Sequence, residues 1–121
     1  MAGFICVGLG GAAGAMLRYA VSLIPYKGTF PLLTLLTNFL GALVIGFIAG
    51  TAIRRELDPN FVLFLKTGVC GGFTTFSTFS LEAYTLILKG RYPVALLYIS
   101  LSVLLCLAGV MAGMYAGKYV R

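Results

Sequence analysis

The residues able to do chemistry are concentrated in one stretch, GVCGGFTTFSTFSLEAY, over 68–84. Beyond Gly71 and Gly72 its residues repeat every three positions. Phe73, Phe76 and Phe79 form one row, Thr74, Ser77 and Ser80 a second, Thr75 and Thr78 a third. On a helix such rows lie side by side, so aromatic rings run along a ladder of hydroxyls. Ring edges carry partial positive charge and hydroxyls donate hydrogen bonds. Together they can replace the water around a small, strongly hydrated anion. Taken alone, the simpler reading is that the rings pack against lipid and the hydroxyls bond to their own helix.

Other polar residues stand near this stretch in kind. The paired glycines lower helix propensity by about 1 kcal/mol each, and the hydroxyls behind them compete for backbone hydrogen bonds. Either the helix breaks there and frees carbonyls for an ion, or the glycines mark a close helix crossing. Asn38 is a lone amide in an uncharged run, with Thr34 one turn earlier and Thr37 beside it. Its NH2 group is a good anion donor, or it ties two helices together. Tyr98 and Ser102, also one turn apart, can continue a polar track. Arg18 and Glu82 interrupt apolar runs. They pair, or Arg18 draws anions into a vestibule, or it snorkels to headgroups.

Placing these groups requires helices in lipid. Of the 121 residues, 60% are hydrophobic and 10% charged, against about 45–50% and 25% in soluble domains. Windows 31–53 and 93–117 carry no charge, and about 20 apolar residues cross the ~30 Å hydrocarbon core. Window 3–24, interrupted by Arg18, and window 61–88, carrying Lys66 and Glu82, complete four transmembrane spans in one all-α domain covering 1–121. The first run has no positive n-region and reads as a span rather than a cleaved signal. Glycines four apart (Gly10/Gly14, Gly46/Gly50, Gly109/Gly113/Gly117) let backbones approach closely in lipid.

Several function classes fall away. Nine Lys and Arg against three acids give a net charge of +6, but the cations sit at the ends of apolar runs. No basic stripe for nucleic acid exists. With no His, and only Glu56, Asp58 and Glu82 as acids, most catalytic and metal-ligand constellations are excluded. Cys6, Cys70 and Cys106 lie in apolar runs as small buried hydrophobes.

At these residues the sequence resembles the Fluc (CrcB-like) family of small fluoride channels. The resemblance rests on GGAAGAMLRY in the first span, TLLTNFLGALVIGF in the second and GVCGGFTTFSTFSLE in the third, and covers essentially the whole chain. It implies an antiparallel, dual-topology homodimer in a prokaryotic cell membrane, with two pores passing fluoride and a third helix broken near mid-membrane. The pore phenylalanines match Phe76 and Phe79, and the pore asparagine matches Asn38. Thr34, Ser77 and Thr78 match the polar track, with Tyr98 and Ser102 continuing it from the fourth span. Arg18 matches the vestibule arginine and Glu82 the acid near the helix end. The family's structural sodium ion, on the two-fold axis, would be held by backbone carbonyls of Gly71 and Thr74 from both subunits.

Two rival readings remain beside it. A small dual-topology multidrug or cation transporter needs a membrane-embedded carboxylate, and the first, second and fourth spans have none. A non-conducting assembly subunit would need the Gly-x-x-x-Gly faces but not Asn38 with the phenylalanine and hydroxyl rows. Four spans place Arg54, Arg55, Lys66, Lys118 and Arg121 on one side and Arg18, Lys27, Lys89 and Arg91 on the other. That bias is too small to fix orientation by positive charge. Tags at each terminus in intact cells should therefore be found on both faces of the membrane; every tag on one face would refute dual topology.

Overall fold

The computed structural model describes residues 1–120, and Arg121, one of the cations counted above, lies outside them. The described residues form helices and short connections. Three helices are long and apolar enough to cross a membrane: α1 (Ala2–Ser22), α2 (Leu32–Arg54) and, last in the chain, Tyr92–Tyr119. Between the second and the last lie two shorter pieces. The first, α3, covers 59–73 as Pro59–Val62, the wider π-helical turns of Leu63–Cys70, and Gly71–Phe73, with right-handed helical dihedrals at each junction. The second, α4, is Phe76–Leu88, so Tyr92–Tyr119 is α5.

Local chemistry explains the ends. Asp58 accepts a hydrogen bond from the Phe61 amide at 2.9 Å, and Pro59 takes the first turn of α3, where an amide would be unpaired anyway. After α4, Gly90 adopts φ +73. There the Gly90 amide donates to Ile87 and the Arg91 amide to Leu86, the paired bonds of a glycine-terminated helix. Pro93 opens α5.

The helices pack as two parallel pairs. Gly10 and Gly14 of α1 lie against the backbone of α3 around Phe64, Gly68 and Val69. Gly46 and Gly50 of α2 face the backbone at Val110 and Met114, while Gly113 and Gly117 of α5 face Leu43 and Phe47. The four-residue spacing thus serves backbone-to-backbone contact, which apolar solvent rewards through packing. A small core of Leu35, Ala83, Leu86, Ala95 and Tyr98 joins α2, α4 and α5.

The windows 31–53 and 93–117 fall on α2 and α5 to within a residue or two, and 3–24 becomes Ala2–Ser22. Window 61–88 is divided. Gly71 and Gly72 stay helical, and the interruption falls instead at Thr74 (φ −83, ψ 157) and Thr75 (φ −149, ψ 121). Gly72 is a crossing glycine, because a Cβ there would run into the Gly11 carbonyl and the Ala15 amide. The rows at three-residue spacing are cut as well: Phe73 ends α3, whereas Phe76 and Phe79 belong to α4.

This packing discriminates between two glycines of one helix. A Cβ on Gly14 would meet the Val69 carbonyl and the Phe73 amide, whereas Gly8 has open space. Gly14→Ala should lower stability in detergent by about 1–3 kcal/mol. Gly8→Ala should be neutral or stabilising by up to about 1 kcal/mol. Helical circular dichroism followed through denaturation checks both, and equal stabilities would place α1 out of backbone contact with α3.

Candidate functional site

A helix interrupted among apolar residues leaves peptide groups without partners, and the site is built from what satisfies them. Asn38 of α2 bridges the gap with both ends of its amide. Its Nδ2 donates to the Thr75 carbonyl at 3.0 Å, and its Oδ1 accepts from the Thr75 amide at 2.8 Å. The Thr75 side chain caps α4 by accepting from the Thr78 amide at 3.1 Å, the usual N-cap role of threonine. On the other side of the gap, the Thr74 hydroxyl donates to the Cys70 carbonyl at 2.8 Å. Arg18 of α1 donates from Nε to the Gly72 carbonyl at 3.1 Å. Three elements therefore hold one two-residue gap.

Glu82, on the inward side of α4, is held by two hydroxyls. Thr34 donates to Oε1 at 2.6 Å and Tyr98 to Oε2 at 3.4 Å. Tyr98 is wholly buried and anchors an aromatic row. Phe79 lies 5.1 Å from it, Phe76 lies 5.6 Å from Phe79, and Phe30 meets Tyr98 edge-on at 5.5 Å. Phe76, at the far end of the row, is 79% exposed.

Two hollows meet at the gap. One, of about 200 Å³, is the more polar of the two and is lined by Arg18, Thr34, Thr37, Thr75, Thr78 and Glu82 among others. It adjoins an outer hollow of about 360 Å³ that shares Ser22, Thr34 and Glu82 and adds Tyr26 and Thr29. The other is a groove of about 460 Å³, lined by Asn38, Gly71, Thr74, Thr75, Phe76, Phe79 and Ser102 together with apolar residues of α2 and α5. Thr75 borders both. The Ser102 hydroxyl is buried on that groove with no hydrogen-bond partner among the described residues. Among the described residues Arg18 bonds only through Nε, which leaves the rest of the guanidinium for the polar hollow.

Most sequence-derived site residues converge. Asn38, Gly71, Thr74, Phe76, Phe79 and Ser102 share the groove; Arg18, Thr34, Thr78 and Glu82 share the polar hollow. Tyr98 joins the two through Phe79 and Glu82. Ser77 is exposed, its hydroxyl 3.4 Å from that of Thr75. Arg18 and Glu82 line one hollow but form no ion pair, and Arg18 turns inward to Gly72 rather than out to headgroups. The Asn38 amide, read from sequence as an ion donor or an interhelical tie, spends one N–H and its oxygen on Thr75, and its second N–H has no partner among the described residues. Thr75, the residue that organises the gap, had no signal beyond its place in a hydroxyl row. Phe30 was also missed, since only its neighbour Pro31 marks that connection.

Comparison with known proteins adds independent evidence. Residues 5–114 match the family model described as CrcB-like protein, Camphor Resistance (CrcB). A protein of Methanococcus maripaludis named "Fluoride-specific ion channel FluC" is 42% identical over 116 residues, covering 95% of each chain. Another so named, from Roseobacter denitrificans, is 42% identical over 125 residues, covering 99% of this chain and 98% of its own. In Bacillus subtilis, "Fluoride-specific ion channel FluC 2" is 38% identical over 117 residues, covering 97% of this chain and 88% of its own.

The bridging amide yields a graded test. Asn38→Ala leaves both Thr75 peptide groups unpaired, at about 1–3 kcal/mol each, so the melting temperature in detergent should fall markedly. Asn38→Asp keeps the acceptor for the Thr75 amide but sets a charge against the Thr75 carbonyl, so it should also destabilise. Wild-type melting in both variants would show that the gap does not depend on this amide.

Proposed function

The chain belongs to the CrcB-like family, and on that footing we propose how it works as a fluoride-specific ion channel. It is a multi-pass, helical membrane protein and not an enzyme. Two copies, inserted in opposite directions in a prokaryotic cell membrane, would form an antiparallel dimer with two pores. In this reading α3 and α4 are one span interrupted at Thr74 and Thr75, giving four spans in all.

The observation that carries the reading is the meeting of two unlike hollows at Thr75. On one side, Arg18 and Thr78 offer charge and a hydroxyl, beside Thr34, whose own O–H is given to Glu82. On the other, Phe76 and Phe79 offer ring edges beside Asn38 and Ser102, whose hydroxyl has no partner among the described residues; Ser77 lies exposed beside Thr75 at the gap. A fluoride ion would lose its water in the polar hollow and pass along the phenylalanine row, with donors contacting it directly. Direct contact in a narrow path is what separates one halide from another. Glu82 does not block such a path, because Thr34 and Tyr98 donate to its oxygens. Flow would be passive, down the fluoride gradient.

The groove that exposes Phe76 and contains buried Ser102 also supports a second subunit there. A subunit of this size fills its own interior with side chains, so a pore is expected where two copies meet. Gly71 and Thr74 border that groove, and their carbonyls meet no donor among the described residues. Carbonyl oxygens of this kind suit a hard cation, which fits the sodium ion implied by resemblance. The ion would supply positive charge between helix ends, and Gly71 and Thr74 of each copy would hold it. No group of three or more His, Cys, Asp or Glu side chains could do so among the described residues.

Anion efflux from proteoliposomes tests the proposal. Vesicles loaded with fluoride should empty rapidly, and vesicles loaded with chloride should retain it. Phe76→Ile or Phe79→Ile should abolish or sharply slow fluoride loss while the dimer persists on size-exclusion chromatography. Normal flux in both variants would overturn the assignment of the row, and equal loss of the two halides would overturn the channel's selectivity.

A further inference from the structure

Phe30 lines the outer hollow together with Thr34 and Glu82. Its ring also meets the wholly buried Tyr98 edge-on, with the centres 5.5 Å apart and the planes at 83°. We propose that Phe30 is a positioning residue for conduction: packed on Tyr98 from the outer hollow, it holds the phenol so that its hydroxyl donates to Glu82. This rests on the reading of the polar hollow and the phenylalanine row as the fluoride route.

The need for such a support follows from the distances. A hydroxyl bonds an oxygen best at about 2.7–2.8 Å. Thr34 reaches Glu82 at 2.6 Å, whereas Tyr98 reaches it at 3.4 Å. A bond that long holds the phenol weakly, so packing of the ring must fix where its hydroxyl lies. Leu35, Ala83, Leu86 and Ala95 pack with the ring as aliphatic groups, which fill space without setting direction. Directional contact comes from two rings. Phe79, at 5.1 Å, borders the groove, and Phe30 borders the outer hollow. Phe79 leans in turn on Phe76, which is exposed. Phe30 is the firmer of the two supports.

Its firmness comes from the backbone. Pro31 adopts φ −74 and ψ 67, an inverse γ-turn, closed by the Leu32 amide donating to the Phe30 carbonyl at 2.7 Å. A residue before proline is itself restricted to extended backbone. The turn leads directly into α2, so Phe30, Thr34 and Asn38 stand four residues apart on one run of chain. Without the Phe30 ring the outer hollow would reach the phenol, and water would compete with Glu82 for its hydroxyl. Glu82 would then carry its charge with one donor fewer, beside the route of an anion.

Unitary fluoride current in planar bilayers tests this. Phe30→Leu, which keeps an apolar group but removes the ring, should lower the current by roughly three- to ten-fold, the scale of one aromatic pair. Phe30→Tyr keeps the ring and should carry nearly the unaltered current. Tyr98→Phe alone should also lower the current, and in that background, which already lacks the hydroxyl, Phe30→Leu should cause no further loss. A ring that only filled space would act by the same factor in both backgrounds. Where Phe30→Leu does not fold, Phe30→Met gives the same comparison. Full current in Phe30→Leu or in Tyr98→Phe, a loss in Phe30→Tyr as large as in Phe30→Leu, or an undiminished further loss in the Tyr98→Phe background would each overturn the proposal. Phe76→Ile and Phe79→Ile measured alongside report on the route itself. Normal current in both would sink that reading, whereas slow current there with full current in Phe30→Leu would sink only the role of Phe30.

Discussion

A backbone amide or carbonyl left unpaired in hydrocarbon is costly, and this single constraint organises the site. A lone unsatisfied polar group there costs several kcal/mol. A helix that stops at Phe73 and restarts at Phe76 creates several such groups at once. The chain meets part of the cost from three directions: Asn38 from α2, Arg18 from α1, and the threonines of the gap itself; the Gly71 and Thr74 carbonyls are left without a donor among the described residues. Each of these side chains is polar because the gap requires it, and each then stands next to a hollow. In the proposed channel, structural need and ion handling would share the same atoms.

That sharing explains why so few polar residues suffice. The Asn38 amide has two N–H groups and an oxygen; Thr75 occupies one N–H and the oxygen, which fixes the direction of the remaining N–H. The Arg18 guanidinium has five N–H donors, of which Nε is tied to Gly72. In both cases bonds to backbone, two for Asn38 and one for Arg18, orient the side chain and hold the leftover donors in place. Donors fixed beforehand lose no ordering entropy when an ion arrives, whereas freely rotating side chains would. The aromatic row works the same way, since Tyr98 is buried and Phe79 packs on it, leaving only Phe76 at the end of the row exposed.

Much of this was legible in the residues, for reasons that differ by element. Uncharged windows revealed α2 and α5 because span length in lipid is set by bilayer thickness. Glycine spacing foretold the backbone contacts, since only a missing Cβ permits them. The position of the interruption was not legible from helix propensity. Gly71 and Gly72 look like the weak point, yet contact with Gly11 and Ala15 keeps Gly72 helical. The chain gives way where hydroxyls can cap both new ends. Telling a crossing glycine from a breaking one needs the neighbouring helix, which no local pattern contains. For the same reason the row of three phenylalanines was overread: its regularity assumed a continuous helix through Thr74 and Thr75.

One consequence concerns Glu82. A carboxylate beside the route of an anion is unfavourable on charge alone, and at an effective dielectric of about 20 two like charges 4 Å apart repel by about 4 kcal/mol. Here the carboxylate faces two donors, and Arg18 lines the same hollow without pairing to it. Had Arg18 closed onto Glu82, both charges would have been consumed by each other and the hollow would present neither. Held apart by the Gly72 carbonyl on one side and by Thr34 and Tyr98 on the other, the two charges oppose each other's long-range field while the guanidinium keeps free donors. In the proposed channel a passing anion would then meet a hollow close to neutral in net charge, with the remaining Arg18 N–H groups and the Thr78 hydroxyl as donors, since Thr34, Thr37 and Ser22 give theirs elsewhere. Such a site favours an ion that gains most from direct hydrogen bonds, and a small halide gains more than a large one.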